Sequence, residues 1–237
     1  MAEVTRPSGS RFPKLDITGV VLAGGRGSRM GGVDKGLQPL NLEPLALHAL
    51  RALKSQCDAM LTSANRSLEI YAQLGMPFQA KVIVDAFPDF PGPLAGISAA
   101  LRAAQTEFAL FVPCDAPFVD PHLAERLGLC AGHADIATAA VVNAAGKRHV
   151  HPVFALLRAS LADDLDTFIR ADERKVRAPQ GGRSDLRQRA CVLQCQRFAA
   201  ASRSLTQLST GSFRSMLRFA VLRFKQSLQH HHLGCEY

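Results

Sequence analysis

Short, continuous apolar runs alternate along the chain with stretches whose apolar residues recur every three or four positions. Residues 17–22, Ile-Thr-Gly-Val-Val-Leu, are apolar or β-branched, with polar residues before and glycines after. That is the pattern of a strand buried on both faces of a parallel sheet. Residues 59–62, 82–84 and 108–112 repeat it. Between these runs, Ala46, Leu47, Ala49, Leu50 and Leu53 make the apolar stripe of a helix over 44–54. Leu68, Tyr71 and Leu74 make a second stripe through Gly75, with Ser67 placed to cap it, and Leu94, Ile97, Leu101 and Ala104 make a third. Further on, 136–142 and 150–156 read as strands around a turn at 143–146, and 160–169 as a helix. Strands alternating with helices predict βαβ units and an α/β fold with a mostly parallel, doubly wound sheet.

Ligands of open α/β sheets bind beyond the carboxyl ends of the strands. Immediately after predicted strands come residues 63–65, Asp85, Asp115 and a loop with Gly24, Gly25, Gly27, Gly31 and Gly32 interleaved with Arg26, Arg29 and Lys35. Glycines let backbone N–H groups approach an anion closely, and the cations neutralise it, so this reads as a phosphate-binding loop, the plainer alternative being a glycine-rich surface turn. It is not a Walker A loop, because Lys35 is preceded by Asp34 and followed by Gly36. Nor is it a dinucleotide fingerprint, because Met30 stands where the third glycine would be.

What remains, Leu22-Ala-Gly-Gly-x-Gly-x-Arg-Met-Gly-Gly-x-Asp-Lys35, resembles the signature loop of nucleotidyltransferases that make NDP-sugars and related cofactors. Within that superfamily, the run from Arg29 to Gly36 is similar to molybdenum cofactor guanylyltransferase, as are 91–96 and 113–117. The resemblance implies a three-layer αβα, Rossmann-like nucleotidyltransferase fold. It implies transfer of GMP from Mg²⁺-bound GTP to the terminal phosphate of molybdopterin (Mo-molybdopterin), giving the guanine dinucleotide cofactor and pyrophosphate. Other cofactor-biosynthesis proteins and the recipient molybdoenzymes would be partners.

By the same resemblance, Leu22, Ala23, Gly24, Gly25, Lys35, Asn65, Asp85 and Asp115 are nucleotide-binding positions. Arg29, Lys35 and Asp115 are the catalytic candidates, and Asp115 is the magnesium ligand. The residue types suit these roles: Arg29 and Lys35 meet triphosphate charge, and a lone carboxylate suits Mg²⁺, which completes its shell with water and phosphate. Taken singly, each residue also suits a plainer role. Asp85 could form a turn, Asp115 could cap the next helix, Asn65 could close an Asx-turn, and Cys114 could be a packed small hydrophobe. The family often carries an asparagine where Ser63 stands. His149 and His151 read as surface residues. Rivals are a cytidylyltransferase or sugar-phosphate nucleotidyltransferase of the same fold, a non-catalytic GTP-binding relative, and a nucleic-acid-binding protein driven by a basic tail.

Composition bounds the rest. The 237 residues are 47% hydrophobic, enough for one ample core, and no apolar run approaches the roughly 18 residues of a membrane span. Residues 1–16 are polar, lack the apolar segment of a secretory signal and read as a disordered leader. The six cysteines show neither a disulfide framework nor paired metal spacing and read as reduced thiols of a cytoplasmic protein. The net charge of +8 is local: residues 178–237 hold nine Lys and Arg against two acids. With two Tyr, no Trp and no aromatic-interleaved basic patch, nucleic-acid binding gains no support.

The resemblance covers about residues 17–177, the expected nucleotidyltransferase domain, and stops at the basic tail. The family there has another strand and an Asn-x-Asn segment; here the run rich in Arg, Ser, Gln and Cys has no clean periodicity. Codons available to residues 185–197, read one base later, allow Phe-Asp-Asn-Glu-Arg-Ala-Phe-Tyr-Asn-Val-Asn, a family-like ending. The tail is therefore of the kind a frameshift produces, and the last sheet strand is expected to be lost with it.

Overall fold

The computed structural model describes residues 16–24, 33–85, 87, 93–131, 134–142, 148–177 and 190–195. In chain order the elements are β1 (Ile17–Leu22), β2 (Pro39–Leu40), β3 (Glu43–Pro44), α1 (Leu45–Lys54), β4 (Ala59–Ser63), α2 (Leu68–Gly75), β5 (Lys81–Ile83), α3 (Pro93–Ala103), β6 (Phe108–Pro113), α4 (Leu123–Ala131), β7 (Ile136–Val142), β8 (Arg148–Arg158), α5 (Ala162–Arg177) and β9 (Ala190–Cys195). Seven strands form one sheet in the order β5-β4-β1-β6-β8-β7-β9. The first four are mutually parallel, β8 runs antiparallel to both β6 and β7, and β9 is parallel to β7.

Successive residues of the central strands feed opposite layers. Val21, Leu110 and Val112 pack with Leu50 and Leu53 of α1, Tyr71 of α2 and Leu127 of α4. Val20, Ala109 and Phe111 pack with Ile97 and Leu101 of α3 and Leu165 and Ile169 of α5. This two-residue alternation explains why β1 and β6 read as unbroken apolar runs: both faces are covered. On the second face a polar clasp joins the helices. Ser98 of α3 donates to Asp166 of α5, and Arg102 Nε donates to the same carboxylate at 2.8 Å and its Nη2 to Asp163 at 2.8 Å.

Several elements differ from the sequence pattern. The β2–β3 hairpin turns through Asn41 and Leu42, both with positive φ (51° and 69°), and Leu42 is 98% exposed at its tip. Ser67 does not cap α2 with its side chain; its own backbone is left-handed (φ 51°, ψ 32°), whereas a capping residue needs an extended one. Leu68 is exposed and lies off the buried stripe that holds Tyr71. Helix α4 is preceded by Asp120, whose carboxylate accepts the His122 N–H at 2.8 Å. Gln56 adds a second bond to its first turn, accepting from Ala124 N–H at 2.9 Å.

The sheet is not closed at residue 177, because β9, from the segment expected to lack a strand, pairs along β7 from Ile136 to Val141. Cys57 and Cys114 form no disulfide, but Cys130 is disulfide-bonded, so the reading of six reduced thiols does not hold there. The leader 1–15, the turn 143–146 and the tail beyond 195 lie outside the described residues.

Candidate active site

The site begins where the parallel strands run out. Beyond their ends the backbone ladder continues one step. Ala23 N–H donates to the Ser63 carbonyl at 2.7 Å, Ala64 N–H to the Ile83 carbonyl at 2.9 Å and Cys114 N–H to the Leu22 carbonyl at 3.0 Å. These bonds set the carboxyl ends of β5, β4, β1 and β6 in one row. The chain leaves β1 for β4 and β5 on one side and returns for β6 on the other. The β1–β6 junction is therefore the topological switch point, where open α/β sheets bind ligands.

Two groups of polar side chains flank Leu22 and Ala23. On the β6 side, Lys35 Nζ lies 3.6 Å from Asp115 Oδ2, with the lysine side chain 36% exposed and the aspartate 14% exposed. On the β4 side, Asp85 is held from three directions. Asn65 Nδ2 donates to its Oδ2 at 2.7 Å, Ser63 Oγ donates to its Oδ1 at 3.2 Å, and its own N–H donates to Asn65 Oδ1 at 2.9 Å. Asn65 Nδ2 also reaches the Gly24 carbonyl at 3.4 Å.

Glycines make room for this second group. A Cβ on Gly24 would press on Asn65 at 3.2 Å and Asp85 at 3.4 Å, and one on Gly96 of α3 would collide with the Ser63 hydroxyl. Burial raises the Asp85 pKa, and the bonds from Asn65 and Ser63 act against that rise.

Under the Lys35 turn lies a third group. Tyr71 donates its hydroxyl proton to Asp34 Oδ1 at 2.6 Å, and Arg66 Nε faces Asp34 Oδ2 at 3.4 Å. Burial and the Asp34 carboxylate push the Tyr71 pKa upward, so the phenol stays a donor. Burial, joined by the negative charges of Asp115 and Asp34, pushes the Cys114 thiol up to about 12. Cys114 is thus an uncharged packing residue at neutral pH and no nucleophile.

The MobA-like NTP transferase domain family matches residues 19–189. A molybdenum cofactor guanylyltransferase of Burkholderia ambifaria is 53% identical over 171 residues, 71% of this chain and 83% of that protein. One from Ralstonia nicotianae is 50% identical over 173 residues, 70% and 83% of the two chains. The chain belongs to the molybdenum cofactor guanylyltransferase family. It is a nucleotidyltransferase. Among solved structures, molybdopterin-guanine dinucleotide biosynthesis protein A from Archaeoglobus fulgidus shares the fold at TM-score 0.53 and 22% identity, covering 86% of this chain and 97% of that one. A Mycobacterium tuberculosis protein solved in complex with manganese does so at TM-score 0.55 and 17% identity, covering 86% and 98%.

Of the positions the family resemblance singles out, the fold brings Leu22, Ala23, Gly24, Lys35, Asn65, Asp85 and Asp115 to one sheet edge. Gly25 and Arg29 lie outside the described residues. Asp115 faces Lys35, and the cap of α4 falls to Asp120 instead. Asn65 spends its amide on Asp85 and Gly24, so it orients the aspartate. Sequence reasoning passed over Tyr71 and Arg66. The one available signal was the phenol itself, since a buried tyrosine hydroxyl finds a partner.

Proposed function

We propose that this guanylyltransferase-family chain transfers GMP from GTP to the terminal phosphate of molybdopterin, carried as Mo-molybdopterin, releasing pyrophosphate. The observation that carries the reading is the Lys35–Asp115 pair at the switch point, in a chain 53% identical to a named molybdenum cofactor guanylyltransferase. A terminal-phosphate oxygen of the acceptor attacks the α-phosphorus of GTP, and the bond from that phosphorus to the oxygen bridging to the β-phosphate breaks. The acceptor oxygen is already ionised at neutral pH, so the protein need supply no base. Its work is to position the two phosphates and neutralise their charge.

Lys35 holds the triphosphate, with Arg29 as a second cation. Asp85, fixed by Asn65 and Ser63, presents acceptors only; this suits guanine, whose N1–H and amine are two adjacent donors, better than cytosine, whose edge offers one amine donor beside the N3 and O2 acceptors. Leu22, Ala23 and Gly24 form the backbone wall of the nucleotide site, and Gly25 is assigned to nucleotide binding by the family resemblance alone. A divalent cation, Mg²⁺, fits at Asp115. Among the described residues no group of three or more His, Cys, Asp or Glu forms an all-protein cage, and Mg²⁺ takes one or two carboxylates with phosphate and water. When bound, it stabilises negative charge on the phosphate oxygens.

The reaction belongs in the cytoplasm, where GTP is supplied. No helix among the described residues is long and apolar enough to cross a membrane. The product passes to recipient molybdoenzymes, with other cofactor-biosynthesis proteins as partners.

Pyrophosphate release from purified chain, Mg²⁺, nucleotide and Mo-molybdopterin tests the reading. GTP should support release and CTP should not; equal rates with CTP, or release without the pterin, would contradict it.

A further inference from the structure

We infer that Asp34, Tyr71 and Arg66 form a positioning network that fixes Lys35 at the phosphate-binding edge. Asp34, directly before Lys35, turns its side chain inward. Its Oδ1 accepts from the Tyr71 hydroxyl at 2.6 Å, and its Oδ2 meets Arg66 Nε at 3.4 Å. Arg66 Nη2 donates to the Val33 carbonyl at 2.8 Å, tying down the residue before Asp34 as well. Tyr71 is fully buried and the Asp34 side chain is 12% exposed.

On the other side of Lys35, Gly36 is buried against the same phenol. A Cβ there would overlap the Tyr71 hydroxyl and stand 3.1 Å from Cys114 Cβ. The turn then closes on itself, with Gln38 N–H donating to the Lys35 carbonyl at 3.1 Å. Lys35 is thus bracketed by a hydrogen-bonded aspartate before it and a close-packed glycine after it. Tyr71 of α2 touches both neighbours, and Cys114, just beyond β6 and next to Asp115, lies against Gly36.

Core stability alone is a poor reason for this arrangement. Burying a carboxylate beside a phenol and a guanidinium carries a desolvation penalty that apolar packing at the same place avoids. The penalty falls at the turn that carries the site's lysine, in a layer otherwise filled by Leu50, Leu53 and Leu127. A lysine has four rotatable side-chain bonds, and a fixed backbone beneath it limits how far its ammonium strays from Asp115.

The inference rests on Lys35 binding the triphosphate, and a kinetic double-mutant cycle separates the two claims. Tyr71→Phe, Lys35→Ala and the double variant are compared for kcat, for KM of GTP and for KM of the pterin acceptor, with thermal melts of each. Tyr71→Phe is expected to lower kcat/KM for GTP about ten- to a hundredfold. It should leave KM for the acceptor unchanged and add nothing further in the Lys35→Ala background. A wild-type-like Lys35→Ala would overturn the triphosphate reading and the inference with it. An impaired Lys35→Ala beside a wild-type-like Tyr71→Phe, or effects that multiply in the double variant, would overturn the inference alone. Should Tyr71→Phe not fold, Arg66→Ala, at a side chain 30% exposed, runs the same cycle with the same outcomes.

Discussion

Asp85 shows how a residue proposed for binding can work against the fold that carries it. Burial lifts its pKa above the ordinary carboxylate value while Asn65 and Ser63 pull it back. A carboxyl whose folded-state pKa is raised holds its proton more tightly when folded. The stability it contributes is present at low pH and lost as pH rises through the folded pKa. Asp85→Asn is therefore expected to melt higher than the wild type at neutral pH, with the gap shrinking toward about pH 4, and to bind GTP less well. Melts across that range check the sign; a neutral-pH melt below the wild type would contradict it. At this scale Asp85 and Asp115 were legible as candidates because each follows a strand end, and Lys35 because it belongs to the glycine-rich loop. The engagement of Asn65 was not, since its partners Gly24 and Asp85 are 41 and 20 residues away in the chain. Tyr71 was hidden for a related reason: its ring fits the apolar stripe of α2, and only its hydroxyl, bonded 37 residues away, tells otherwise.

Among the elements, the long periodic ones could be read and the short or irregular ones could not. α1, α3 and β6 announce themselves by pattern. The β2–β3 hairpin has two residues per strand, too few for any period, and its turn lacks the glycine that usually marks one. Leu42 at φ 69° bears a left-handed strain that glycine would not, about 1 kcal/mol, partly offset by glycine's greater freedom when unfolded. Leu42→Gly should therefore leave stability unchanged or raise it by up to about 1 kcal/mol in a denaturant titration; a clear loss would show that the exposed leucine makes a stabilising contact. The α3–α5 clasp predicts the opposite. Asp166→Ala strands the buried Ser98 hydroxyl, while the exposed Arg102 keeps Asp163 and water, and should cost about 1–2 kcal/mol with an unchanged denaturant slope. A loss under about 0.5 kcal/mol would mean apolar packing alone holds α5 in place.

For the whole molecule, the pattern of buried strands and intervening helices was enough to gather the candidate residues at one sheet edge. It did not reveal that β8, rather than β7, lies beside β6, because an apolar run says nothing of which strand is its neighbour. Nor did it reveal β9, whose sequence in the basic tail has no clean period. Neither gap touches the site, which depends on β1, β4, β5 and β6, all parallel, and on the reversal of strand order at β1. That reversal places Lys35 opposite Asp115 at one sheet edge, the edge proposed here for the nucleotide triphosphate and its metal. The most direct measurement is GTP binding by the purified chain as Mg²⁺ is titrated, beside Asp115→Ala and with CTP as control. Tight GTP binding that depends on Mg²⁺, is lost in Asp115→Ala and is absent with CTP is the predicted result. Equal binding of GTP by the wild type and by a folded Asp115→Ala, with or without Mg²⁺, would contradict the assignment of this edge as the nucleotide site.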